Sequence, residues 1–142
     1  KYMCVKATDY IKRNIRSSAI LTGSYVAATV LGAENGTTIE TRTTKPSEYN
    51  QLVLFIDFTI GSLTDMRLKI ETSPDGTNYY QESVGTITSA VELDEALEHK
   101  FTATGKYRLA IPTTDRYIKV SVKGTGTATS SLCAIDAVLG VN

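Results

Sequence analysis

"DMRLKIETSPDGTNYYQ", residues 65–81, decides the fold class. Met66, Leu68 and Ile70 alternate with Arg67, Lys69 and Glu71, the period-two pattern of a strand with one buried and one wet face. Asp75-Gly76 then supplies a turn, Pro74 keeps the approach extended, and a second strand begins at Asn78. A hairpin accounts for the acid, the glycine and the paired tyrosines. The competing reading is a ligand site, but Tyr79 and Tyr80 are strand neighbours and point to opposite faces. A carbohydrate platform would want both on one face.

The same pattern recurs on either side. "QLVLFIDFTI" (51–60) places Leu52, Leu54, Ile56, Phe58 and Ile60 on one face and Val53, Phe55, Asp57 and Thr59 on the other. That reads as a central strand covered on both sides for part of its length. Further strands are expected at 17–22, 25–32, 35–44, 78–84, 85–93, 106–111, 116–123 and 131–140, the third opening on an Asn35-Gly36 turn. "LDEALEHK" (93–100) reads as the one helix or loop insertion, and "GTGTATSS" (124–131) as a long polar turn. With 17–22 and 25–32 read as one run broken at Gly23, eight to nine short strands without βαβ alternation predict an all-β protein, an antiparallel β-sandwich or jelly roll. Its core is expected to hold Ile56, Leu68, Ile70, Leu109, Ile118 and Val120.

The chain has 142 residues, with 15 Lys and Arg against 15 Asp and Glu, which fits one domain and gives no basic excess for nucleic acid. The charge is uneven. Lys1, Lys6, Lys12, Arg13 and Arg16 are opposed only by Asp9 in the first sixteen residues, so that segment carries +4 and the rest −4. The expected organisation is a basic N-terminal arm, 1–16, and a sandwich domain, 17–142. Tyr2, Tyr10, Ile11 and Ile15 interleave with the charges, which favours docking over a solvated tail. Lys6, Tyr10, Lys12, Arg13 and Arg16 are the candidate partner-binding residues. No apolar run is long enough to cross a bilayer and no signal-peptide core follows the basic start, so no membrane is expected as a partner.

Cys4 and Cys133 form no metal clip or redox motif and read as reduced packing thiols, although a bridge between the ends is conceivable. His99 could share a helix face with Glu95, but a hydrolytic zinc site needs further ligands. There is no GxSxG elbow, and "GTGTATSS" lacks the lysine of a phosphate loop. Asp57 and Asp136 interrupt apolar strands and read as structural pairs, with Arg108, Arg116 or Lys119, or as residues of an outer face. No catalytic residue, metal or cofactor is expected.

Two stretches carry a family resemblance: "LFIDFTIGSLTDMRLKIETSPDGTNYYQ" (54–81) and "TGKYRLAIPTTDRYIKVSVKGTGTATSS" (104–131). The order is an apolar strand, a GSLT-like turn and an alternating strand ending in S-x-D-G-x-x-Y, then a tyrosine-led strand and an R-Y-I-K-V strand. It resembles small β-sandwich virion proteins of tailed bacteriophages, over roughly residues 52–139. The resemblance implies a non-enzymatic component such as a capsid decoration (cement) protein or other head-associated protein. Its partners would be major capsid or neck proteins and further copies in a symmetric assembly, and its location the virion. The alternatives are a head–tail joining or tail protein, or a carbohydrate-binding or adhesive module.

Overall fold

The computed structural model describes residues 10–31, 51–81, 83–89, 92–96, 98–112 and 117–140. In chain order the strands are β1 (Tyr10–Ala19), β2 (Val26–Ala27), β3 (Gln51–Thr59), β4 (Leu63–Ser73), β5 (Tyr80–Gln81) and β6 (Ser83–Ser89). They continue with β7 (Glu92–Ala96), β8 (Glu98–Phe101), β9 (Gly105–Pro112), β10 (Tyr117–Gly126) and β11 (Leu132–Gly140). One sheet has the order β1-β11-β3-β9. The other has β2-β10-β4-β5, with β8 also on β4, and β6-β7 form a hairpin apart. Every pairing is antiparallel. Strands from the two halves of the chain alternate in both sheets, β1 beside β11 and β2 beside β10, which is the winding of a jelly roll.

The alternation read from the sequence is what closes the two layers. Leu52, Leu54, Ile56 and Phe58 of β3 and Cys133, Ile135, Ala137 and Leu139 of β11 are buried. Met66, Leu68 and Ile70 of β4 and Ile118, Val120 and Val122 of β10 are buried from the other side. Leu109 is half-buried and packs against this cluster. Each large aliphatic side chain so placed contributes about 1.5–3 kcal/mol. Phe101 sits edge-on to Phe58 and Tyr107, with ring centroids 6.5 and 4.9 Å away, closing one end of the layer.

Two turns are built as the sequence suggests. Gly61, at φ +55, joins β3 to β4, and a Cβ there would lie 2.4 Å from Ser130 Oγ. In the hairpin of residues 73–80, Asp75 Oδ1 accepts the backbone N–H of Thr77 and of Asn78, each at 2.8 Å. These bonds hold its carboxyl well below the usual carboxylate range.

Three expectations are corrected. The proposed division at residue 16 does not hold, because β1 pairs with β11 from Tyr10↔Gly140 to Ala19↔Cys133. Residues 10–16 are an edge strand, with Ile15 only 3% exposed. Residues 93–96 and 98–100 are strand, not helix or loop: β6 offers a ladder to the first group and the open side of β4 to the second, and these outweigh the helix-forming composition. Where a strand was expected over 25–32, the described residues 25–31 supply the short β2 and an isolated bridge, Leu31↔Ile118. The strand expected at 35–44 lies outside the described residues.

The β5 and β8 pairings continue one another. Tyr80 and Gln81 stand opposite Thr72 and Glu71, and Glu98 to Phe101 stand opposite Lys69 to Met66. They occupy one edge position of β4, interrupted by residues 82–97.

Candidate protein-binding face

The outer face of the β1-β11-β3-β9 sheet is laid out by register. Asn14 pairs with Asp136, Asp136 with Phe55, and Phe55 with Arg108, so these four form one row across the sheet. The next row is Lys12, Val138, Val53 and Ala110, and on the other side Ala134, Asp57 and Lys106. Cross-strand partners share a face, so Phe55 stands in an apolar strip with half-buried Val138 and Ala134 and with charges around it, while Val53 of the same face is covered, at 9% exposure. Phe55 is 43% exposed. A shallow depression of about 320 Å³ beside it is lined by Asp57, Lys106, Arg108, Ala134 and Asp136.

The charges are held in part. Lys106 Nζ donates to Asp57 at 2.7 Å, and Lys12 Nζ lies 3.9 Å from Asp136, whose Oδ1 accepts from Asn14 at 2.9 Å. Asp57 and Asp136 are thus outer-face residues, one of the two positions expected of them, but with Lys106 and Lys12 as counterions instead of Arg108, Arg116 or Lys119. These pairs are exposed and weak, so a partner can exchange them at little cost.

Of the candidate partner-binding residues, Lys12 alone has a side chain placed on this face. Arg13 pairs with Ala137, an inward residue of β11, so it lies on the core-facing side of the edge strand. It stays exposed at the margin, and its Nη1 donates to Lys12 O at 3.0 Å. Arg16 does structural service: its Nε donates to Cys133 O at 3.1 Å and its Nη2 to Ala19 O and Ile20 O, across the irregular stretch of the β1–β11 ladder. Tyr10 begins β1, and Lys6 lies outside the described residues. The second face of β3 was expected to be covered for part of its length, and Val53 is; sequence reasoning did not single out Phe55 as the exposed residue. The signal was present, since Phe55 shares its face with Asp57 in an otherwise alternating strand.

The outer face of the second sheet is chemically closed. Tyr25 lies across it, its hydroxyl donating to Glu98, with the ammonium groups of Lys69 and Lys123 at 4.6 and 4.8 Å from its ring centre. Arg67 bridges Glu98 at 3.4 Å to Asp65 at 3.1 Å. The Tyr25 hydrogen bond, followed by the nearby cations, holds Glu98 below the usual carboxylate range. Burial pushes the Asp65 carboxyl up, but hydrogen bonds from Arg67 and Thr125 and the charges of Arg67 and Lys100 outweigh it and leave the group lowered. Burial and the Glu98 contact push the Tyr25 phenol up. Each partner here is answered from within the chain.

Elsewhere, His99 is half-buried in β8 opposite Leu68, and Cys133 is buried, its thiol pushed up by burial to about 11. Among the described residues, no three His, Cys, Asp or Glu side chains converge as metal ligands, and no helix is long and apolar enough to cross a membrane.

No family pattern matches the sequence, and none of the curated proteins compared with it does. Among solved structures, the chain is similar to one described as "Bacillus endospore appendages form a novel family of disulfide-linked pili". The identity is 9% with a TM-score of 0.42, over 99% of this chain and 97% of that one.

Proposed function

We propose that this chain is a non-enzymatic structural protein of a tailed-bacteriophage virion, a capsid decoration protein or another head-associated component. It binds neighbouring virion proteins through the outer face of the β1-β11-β3-β9 sheet. The observation that carries the reading is Phe55, 43% exposed at the centre of an apolar strip with a charged margin. That is the anatomy of a protein interface, a desolvated centre inside a polar rim. Supporting it are the resemblance over residues 52–139 and the jelly-roll winding, a common architecture of capsid proteins. Burying Phe55 contributes about 1.5–3 kcal/mol, too little for lasting attachment of one copy. Repetition across a lattice converts such contacts into stable occupancy.

The test is incorporation. Wild-type protein and its Phe55→Asp and Tyr80→Asp variants are mixed with particles lacking the protein, and the amount that sediments with them is measured. Tyr80, on the other sheet and 63% exposed, is the control. Phe55→Asp is expected to lose at least about tenfold, as for a central aromatic anchor, with Tyr80→Asp unchanged. Equal incorporation of all three defeats the reading.

A further inference from the structure

We infer that the partner seated on the outer face of the β1-β11-β3-β9 sheet is a second copy of this chain, related by a two-fold axis along β3; the inference rests on the function proposed above. The argument is the order of side chains across the sheet. In the central row Phe55 has Asp136 on the β11 side and Arg108 on the β9 side, each one strand spacing away, about 4.8 Å. Consider two such faces opposed, with the axis between them parallel to β3. Positions along the strand are kept, and positions across the sheet are exchanged.

Each Arg108 then stands over the partner's Asp136, twice over, and Phe55 meets Phe55. In the adjoining row Val138 of β11 meets Ala110 of β9, so apolar opposes apolar on either side of Val53, which is itself covered at 9% exposure. The third row brings Asp57 to Asp57, the one like-charge meeting. There Lys106, already 2.7 Å from Asp57, is the counterion at hand. The alternative axis, perpendicular to the strands through Phe55, would set Arg108 on Arg108 and Asp136 on Asp136. The face is complementary to itself in one orientation, as a two-fold contact requires.

The area sets the strength. About this axis β11, β3 and β9 overlap while β1 faces no strand, and three strands at about 4.8 Å spacing with a few residues of each give roughly 400 Å² per copy, below the usual size of a specific contact. The dimer is therefore weak in isolation, in keeping with a protein that acts in an array.

The experiment is sedimentation equilibrium of the full chain from about 10 µM to about 1 mM, the range that brackets weak association. Wild-type protein is expected to show a reversible monomer–dimer equilibrium. Arg108→Asp and Asp136→Arg, each alone, set like charges together at both ends of the row and are expected to weaken it at least about tenfold. An equimolar mixture of the two variants restores every pairing as a heterodimer and is expected to return the wild-type association within about threefold. Phe55→Ser, which leaves all charges in place, must also weaken it.

A wild-type protein that is monomeric throughout overturns the inference, and so does a mixture no tighter than its separate components. A monomer that still enters particles through Phe55 overturns the second copy and leaves the virion reading intact. A self-complementary dimer whose Phe55→Asp variant enters particles normally does the reverse.

Discussion

Gln81 and Glu98 lie along one edge of β4, opposite Glu71 and Lys69, although residues 82–97 part them in the chain. Only the position opposite Ile70 falls between them. Deleting residues 83–97 leaves a single residue to fill it and makes the edge strand continuous. The shortened protein is expected to fold, with a melting temperature within about 5 °C of the wild type, since closing a loop of that length costs little. A loss of cooperative unfolding would show that the excursion supports the sandwich.

Ile56 and Asp57 are neighbours in β3 with opposite fates. Ile56 is 1% exposed in the core, and Asp57 is exposed in a pair with Lys106. Ile56→Ala is expected to cost about 2–5 kcal/mol in denaturant unfolding and Asp57→Ala less than about 1 kcal/mol. Equal costs would mean that the register of β3 is displaced by one residue.

The Tyr25–Glu98–Arg67–Asp65 network makes stability depend on pH in a definite direction. Glu98 and Asp65 have lowered carboxyls when folded and ordinary ones when unfolded, so the unfolded chain takes up protons first as pH falls. Their contribution is present above about pH 4 and is lost as acid carries the solution through the folded values. The raised Tyr25 phenol acts at the other extreme, its contribution present below about pH 10 and lost as alkali is added. Thermal melts of Glu98→Gln should show a shallower acid limb than the wild type, and Tyr25→Phe a shallower alkaline one.

Gly61 has a left-handed backbone, and a methyl group there would collide with Ser130 at 2.4 Å from Oγ and 2.6 Å from its carbonyl carbon. Rotating the Ser130 side chain relieves the first, but the contacts with its backbone carbonyl carbon and oxygen, both at 2.6 Å, remain. Gly61→Ala is expected to cost about 2 kcal/mol or more, whereas Gly23→Ala, with open space around its Cβ position, should cost far less.

Cys133 is buried, and its thiol is pushed up to about 11. In a Cys4→Ser background, an aromatic disulfide reagent at pH 8 should leave native protein unlabelled and label it fully in denaturant. Rapid native labelling would show that β11 opens readily.

β3, β4, β10 and β11 were legible because alternation runs through most of each and each faces the other layer, even where a stretch such as Leu52–Leu54 is buried on both sides. β1 was not. As an edge strand it buries Ile15 and surrounds it with Lys12, Arg13, Asn14 and Arg16, so its pattern is that of a charged tail. β7 carries acids, Leu and Ala in helix-like proportions, and only its pairing with β6 decides for strand, as the open side of β4 does for β8. At the binding face, Phe55 and Asp57 could be assigned to one side from sequence, but their meeting with Arg108 and Asp136 depends on register across three strands.

The placement of Arg13 limits how copies of this chain can grow into larger structures. A charged group on the core-facing side of an edge strand penalises any incoming strand that would extend the ladder. Sheet-to-sheet ribbons are disfavoured at the β1 margin, and a guanidinium there protects a concentrated solution from fibre formation. Arg13→Val should remove that protection, making the protein prone to precipitate while leaving its fold unchanged.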